Sequence, residues 1–353
     1  MKKIVITGGH HNSALVVAKE LRRRGVEVIW IGHRQAAAGD TNDSAEYREV
    51  TAAGFPFVVL EAGKLSLDGG VGNIIRLPMG LLRAYYLLRK YGPEAVLSFG
   101  GYLGASVAAA AWLQGIPVYL HEQTVVSGKA NQFAARFARR IYLTWESSRV
   151  YFPREKSLVV GLPIRAGFLK KHTIPHRKYP RLLVLCGKQG SHVINTFIFS
   201  NISELLKDYD VVHQTGTSSA TGDWDKAQKI KLQLPRELAL RYHPAGYIGE
   251  AEIAATLATA DLTVGRSGAH VTYELGLLGK RAVLIPFVAT TGGEQLQNAK
   301  YLASKGIAVI LNQNDLTMRN FRAALSKAFK LSPRPLPLTS DGSSRLVRDL
   351  LGG

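Results

Sequence analysis

Cysteine is nearly missing from this sequence. A single residue, Cys186, occurs among 353, so no internal disulfide can form and a reducing compartment is expected. It follows the apolar run 182–185 and reads as a buried strand residue rather than a nucleophile. Acidic side chains are also scarce. The 26 Asp plus Glu stand against 45 Lys plus Arg, and the formal charge of +19 attracts polyanions: acidic lipid, phosphorylated substrate or nucleic acid. Zinc-ligand spacing, an RNA-binding aromatic motif and a long basic arm are all missing, so no nucleic-acid partner is expected. No Cys/His cluster has ligand spacing, and Asp40 and Asp43 sit in a polar loop that reads as solvated; no metal and no cofactor are expected.

Long apolar runs are few. After Lys2 and Lys3 only four residues precede Gly8, too short for the core of a secretory signal, so export is not expected. Residues 95–120 carry no charge and are nominally long enough to span a bilayer. Glycines 100, 101, 104 and 115 with Pro117 break this stretch into strand, helix and strand, which reads as buried α/β core.

The patterning that is present alternates strands with helices. The run 3–7 (KIVIT) stops at Gly8-Gly9, helix-forming residues fill 14–24 up to Gly25, and 27–32 (EVIWIG) reads as the next strand. Similar runs recur at 56–60, 95–99, 117–120, 141–144 and 157–160. A connector with Pro153, Gly161 and Pro163 follows, and strands resume at 181–186, 210–213, 261–264, 282–286 and 307–311. The expected fold class is α/β: two Rossmann-like, doubly wound parallel-sheet domains facing a central cleft. They are placed at 1–163 and 164–335, with a tail at 336–353 made of a loop and one short basic helix.

Ligands of such sheets bind outside the carboxyl ends of the strands, where helix N-termini attract anions. The turn Thr7-Gly8-Gly9-His10 lets main chain approach a ligand and sets a titratable nitrogen at a helix mouth; a plain turn with a solvated histidine is the other reading. A dinucleotide fits poorly, because the glycine spacing is not G-x-G-x-x-G and Gly32-His33-Arg34 offers no carboxylate. Gly187-Lys188-Gln189-Gly190 and Arg266-Ser267-Gly268-Ala269-His270 each lead from a strand into a helix and are phosphate-cradle candidates. Glu274, one turn beyond His270, either accepts hydrogen bonds from a ribose diol or caps the helix. The segment 74–90 mixes large apolar residues with cations and suits either the plane of an anionic membrane or a helix packed on the sheet.

Several ordered motifs carry a more specific message. TGGH at 7–10, SFGGYLGASVAAAAWLQGIPVYLHEQ at 98–123, GLPIR at 161–165, GKQGSHVIN at 187–195, HQTG at 213–216, RSGAHVTYEL at 266–275 and QLQNAKYL at 295–302 resemble the MurG family of glycosyltransferases, over nearly the whole chain. The resemblance implies the GT-B fold, a UDP-N-acetylglucosamine donor, and a lipid-linked diphosphate acceptor, lipid I, converted to lipid II. It further implies a peripheral protein on an anionic membrane surface at the cytoplasmic face, serving peptidoglycan synthesis and with it cell shape and division. In its terms Thr7, Gly8 and Gly9 lie by the reacting centre and His10 is the general base. Gly100, Gly101 and Tyr102 form the acceptor diphosphate site, with His121, Glu122 and Asn131 as the facing wall. Donor contacts fall on Arg165, Lys188, Gln189, Gly190, Ile248, Ser267, Gly268, Ala269, His270, Val271, Thr272, Tyr273, Glu274, Glu294 and Gln295. The sequence departs from the family pattern at Thr124, where asparagine usually contacts the donor sugar, at Lys188 for serine, at Leu162 for asparagine, and at His11-Asn12-Ser13. These departures keep a related transferase with another sugar or acceptor as the alternative, ahead of a basic nucleic-acid-binding protein.

Overall fold

The computed structural model describes residues 1–35, 43–60, 72–164, 166–169, 172–173, 176–187, 189–249, 252–287 and 293–352. The chain divides into two compact units, Met1–Ile164 with Thr339–Gly353, and Arg165–Leu338.

In the first unit, β1 (Lys3–Thr7), β2 (Glu27–Gly32), β3 (Phe57–Val59), β4 (Ala95–Ser98), β5 (Val118–Glu122), β6 (Ala138–Leu143) and β7 (Ser157–Val159) form one sheet in the order β3-β2-β1-β4-β5-β6-β7. The second unit holds β8 (Arg181–Leu185), β9 (Asp210–Gln214), β10 (Tyr242–Ala245), β11 (Leu262–Gly265), β12 (Ala282–Leu284) and β13 (Ala308–Ile310) in the order β10-β9-β8-β11-β12-β13. Every pairing given for these strands is parallel, for example Ile4 with both Val28 and Ala95. Parallel strands covered on both faces read as unbroken apolar runs, which is why Ile4, Val5 and Ile6 in β1 and Leu182, Leu183 and Val184 in β8 are fully buried. Each sheet starts at an inner strand and reverses direction, between β1 and β4 and between β8 and β11, and a ligand site is expected at each reversal.

The helices of the first unit are α1 (His11–Arg23), α2 (Ala45–Ala52), α3 (Gly72–Tyr91), α4 (Gly101–Leu113) and α5 (Lys129–Ala134). The second unit has α6 (His192–Asp208), α7 (Asp223–Gln233), α8 (Arg236–Ala239), α9 (Ile253–Thr259), α10 (Ala269–Leu278), α11 (Glu294–Ser304) and α12 (Met318–Phe329); α13 (Gly342–Leu350) follows. On α1, Ala14, Leu15, Val17, Ala18 and Leu21 are buried, a helical stripe laid on the sheet. The uncharged stretch 95–120 resolves into β4, α4 and most of β5.

Two findings differ from the sequence reading. β10 (YHPA) was not foreseen because Pro244 lacks a backbone donor; it is tolerated on the sheet edge, where β10 pairs with β9 alone. The tail does not stand apart. Leu346, Val347 and Leu350 of α13 bury themselves in the core under α1, while Asp349 accepts from Arg140 Nη2 at 3.0 Å and from the Tyr142 hydroxyl at 3.0 Å. Burial and that carboxylate together push the Tyr142 hydroxyl well above its usual range.

Candidate functional site

At the reversal point of the first sheet, the turns after β1 and β4 interlock. The Phe99 amide donates to the Thr7 carbonyl at 2.7 Å, and the Gly9 amide donates to the Gly100 carbonyl at 3.1 Å. Gly8 has φ +121°, and a Cβ there would stand 2.7 Å from the Phe99 carbonyl carbon, so only glycine allows this approach. Asn131 closes on Gly100 in the same way, since a Cβ on Gly100 would collide with its amide. The structure thus brings Thr7, Gly8, Gly9 and His10 together with Gly100, Gly101 and Asn131. His10 is partly exposed just before α1, and its side chain makes no capping bond to that helix.

Behind the turns the polar side chains face inward. Glu122 is 1% exposed. Its carboxylate accepts from the Thr124 amide at 2.9 Å, the Thr124 hydroxyl at 2.7 Å, the Ser127 hydroxyl at 2.8 Å and Asn131 Nδ2 at 2.8 Å. Both oxygens are therefore occupied by the protein. His121 has no exposed surface; burial, with His10 as a lesser cause, pushes it down to about 3, so it is neutral. Ser13, one of the unusual residues after TGGH, donates to Gln123 Oε1 at 3.1 Å and ties α1 to this network. Tyr102 is half-buried, and its hydroxyl lies 2.5 Å from His33 Nε2. Burial, with Glu46 nearby, pushes the Tyr102 hydroxyl up to about 12, so it stays protonated beside His33. Glu46 is itself raised to about 7 by burial, against the lowering effect of the Trp30 Nε1 donor at 2.7 Å.

The second unit carries an open pocket of about 480 Å³ at its own reversal point, lined by Cys186, Gly187, Gly190, Ser191, His192, Val193, Arg266, Gly268, Val271, Phe287, Gln295 and Gln313. Two helices begin there, α6 after Ser191 and α10 after Gly268, and neither has a side-chain cap or an acidic residue in its first turn. Their free amides and positive dipole ends offer a seat for an anion. Burial pushes the Cys186 thiol up to about 12, which keeps it protonated. Arg266 is fixed on the wall: it donates to the Ile285 carbonyl at 2.9 Å, to Ser191 Oγ at 2.8 Å and to Gln313 Oε1 at 2.6 Å. Gln214 joins two expected donor segments, donating to the Gly187 carbonyl at 2.7 Å and accepting from the Ile248 amide at 2.9 Å. Ser267 donates to the Gln295 carbonyl at 2.7 Å, and Gln295 Oε1 accepts from the Phe287 amide at 3.0 Å.

The expected donor residues spread unevenly around this pocket. Gly190, Gly268, Val271 and Gln295 line it, Gln189 is exposed next to it, and Glu294 opens α11. Ala269, Thr272, Tyr273 and Glu274 are buried, with Tyr273 fully in the core, while the His270 ring lies 3.9 Å from the Glu274 carboxylate. Arg165 and Lys188 lie outside the described residues. The sequence reading quoted His192 only as part of the 187–195 motif, without a role, and passed over Asp223, Phe287 and Gln313, whose separations in sequence give no signal; only the sheet order gathers them. Among the described residues, no three His, Cys, Asp or Glu side chains cluster as metal ligands do.

Residues 6–143 match the glycosyltransferase family 28 N-terminal domain, and residues 181–347 match the glycosyltransferase family 28 C-terminal domain. The chain is 32% identical over 341 residues to the UDP-N-acetylglucosamine--N-acetylmuramyl-(pentapeptide) pyrophosphoryl-undecaprenol N-acetylglucosamine transferase of Nitratidesulfovibrio vulgaris, covering 92% of this chain and 88% of the relative. A protein of the same name from Geobacillus kaustophilus is 30% identical over 350 residues, covering 94% and 92%. Among solved structures, the MurG of Acinetobacter baumannii is similar in fold, with a TM-score of 0.72 over 100% of both chains at 22% identity. Two parallel-sheet units of this order, both family 28 domains and relatives matched along most of their length establish that the chain has the GT-B fold and belongs to the MurG family of glycosyltransferases.

Proposed function

We propose that the protein moves N-acetylglucosamine from UDP-N-acetylglucosamine to lipid I, giving lipid II for peptidoglycan synthesis. One observation carries this reading: the pocket of the second unit, where two uncapped helix N-termini face one opening, is built for a nucleotide diphosphate. The sugar and the acceptor follow from the shared name of the relatives.

In this reaction the acceptor hydroxyl attacks the anomeric carbon while the bond to the β-phosphate breaks, so one displacement inverts the centre. His10, directly or through one water, takes the hydroxyl proton. The departing UDP keeps the electron pair, and the amides at Gly190 and Gly268 stabilise that charge, with Arg165 or Lys188 as the cation. Thr7, Gly8 and Gly9 hold the turn at the reacting centre, and Gly100, Gly101 and Tyr102 receive the acceptor diphosphate. His121 and Glu122, buried as they are, position Asn131 and the Gly100 turn rather than touch the acceptor. Glu274 takes the ribose diol, while Ile248, His270, Val271, Glu294 and Gln295 border the donor.

The working place is the cytoplasmic face of the cell membrane, as a peripheral protein of cell-wall biogenesis that supports cell shape and division. No helix among the described residues is long and apolar enough to cross a membrane. On α3, Met79, Leu82 and Tyr86 are exposed, Leu82 at 69%, beside Arg83, Arg89 and Lys90, and Trp112 on neighbouring α4 is 56% exposed. Such a face suits anionic lipid, where each basic residue near the surface contributes about 1 kcal/mol. Flotation with liposomes is expected to require anionic lipid and to weaken with salt; binding indifferent to both removes the membrane assignment.

Incubation with radiolabelled UDP-N-acetylglucosamine and lipid I is expected to yield labelled lipid II. The departures at Thr124 and Lys188 favour a second reading, another sugar or acceptor, which predicts UDP release only with a different donor. No affinity for UDP by calorimetry overturns both.

A further inference from the structure

At the rim of the second unit's pocket stands a side chain that falls inside the 187–195 motif and to which the motif assigns no role. His192 opens α6, lines the pocket, and its side chain is 58% exposed. Its Nδ1 lies 2.9 Å from Asp223 Oδ1, and Asp223 is 3% exposed at the start of α7. A carboxylate can only accept, so Nδ1 carries a proton and donates it. The other Asp223 oxygen accepts from Asn195 Nδ2 at 2.8 Å. Asn195 also donates to the Thr215 carbonyl at 2.7 Å, so its own Oδ1 accepts from His213 Nε2 at 2.9 Å, and His213 Nδ1 in turn accepts from the Tyr242 hydroxyl at 3.1 Å. Burial holds His213 down to about 3, so this inner relay carries no charge that competes for Asp223.

The carboxylate is thereby immobilised, and its one remaining partner is the imidazole at the rim. The ring is held with Nε2 on the side away from Asp223, and Nε2 has no protein partner among the described residues. Arg266, by contrast, already makes three protein hydrogen bonds. A carboxylate behind an imidazole orients it and stabilises the imidazolium, the arrangement by which a histidine presents a directed N–H to an anion.

We propose that His192, oriented by Asp223, binds the diphosphate of the donor nucleotide through Nε2 and sets the protein's preference for a nucleoside diphosphate over the bare nucleoside. This rests on the donor reading above and adds a contact to it. Asp223 acts as a positioning residue that works through His192.

Calorimetry with UDP and with uridine separates the outcomes. His192→Gln and His192→Ala, at an exposed position where folding survives, are each expected to weaken UDP binding roughly tenfold or more, with uridine affinity unchanged. His192→Lys is expected to recover most of the loss. Asp223→Asn is expected to weaken UDP binding in the wild-type background and to add nothing in the His192→Gln background, because contacts that act through one residue are not additive. UDP affinity within twofold of wild type in both His192 variants, an equal loss for uridine, or an undiminished Asp223→Asn effect in the His192→Gln background overturns the proposal while leaving the donor reading standing. A wild-type protein that binds neither ligand overturns both.

Discussion

The two units follow one strand order and present their chemistry in opposite ways. In the first, the polar side chains at the end of the sheet turn inward: His121, Glu122, Gln123 and Asn131 are all buried and bonded to one another or to neighbours, and His10 is left at the surface. In the second, the seat stays open, made of main-chain amides at two uncapped helix starts with a histidine at the rim. An inward network fixes the geometry around one reacting side chain, whereas helix amides recognise charge with no side chain to move. Damage to the first unit should therefore appear as lost rate or lost stability, and damage to the second as lost affinity.

The largest expected effect is at His10. His10→Ala should lower the transfer rate by about 10² to 10⁴, with UDP affinity within twofold of wild type; a rate within a factor of a few breaks the base assignment. Next comes Glu122→Ala, which strips Ser127 and Asn131 of their buried acceptor and should lower unfolding stability by about 3 kcal/mol in urea titrations. A loss under ~1 kcal/mol shows that the network tolerates a gap and blurs the contrast. On the other side of the comparison, Glu274→Ala should weaken UDP binding roughly ten- to a hundredfold with an unfolding midpoint little changed; unaltered affinity leaves Glu274, which lies inside α10 and not at either cap, as a structural residue.

The smallest effect concerns pH. Folded Glu46 keeps its proton up to about 7, against 4.5 when unfolded, so the folded state binds more protons across that window and stability falls as pH rises through it. The fall should be about 2 kcal/mol between pH 4.5 and 7.5, and Glu46→Gln, which still accepts from Trp30, should flatten it. An unchanged slope in that variant assigns the pH dependence elsewhere.

The fold was largely legible because buried parallel strands announce themselves as apolar runs, and all but β10 were read. Where a strand's identity depends on its place in the sheet, as with Pro244 on the edge, the residues alone do not reveal it. The site divides the same way. Glycine turns such as Gly8 and Gly100 are visible because close main-chain approach demands glycine. Burial of Glu122 was not visible, since a carboxylate bonded by four protein donors has the same letter as one awaiting a ligand. His192 and Asp223 stand 31 positions apart and become a pair only once β8 and β9 lie side by side.

The return of α13 to the first unit has a consequence for how the protein is made. The second unit is, topologically, an insertion between the body of the first and its closing helix. A ribosome therefore releases a complete second unit's worth of sequence before Leu346 and Val347 can join Ala14, Leu21 and Trp30 in their shared core. Residues 3–32 are made well before the helix that covers them, and removal of residues 339–353 leaves that βαβ segment with an uncovered apolar flank.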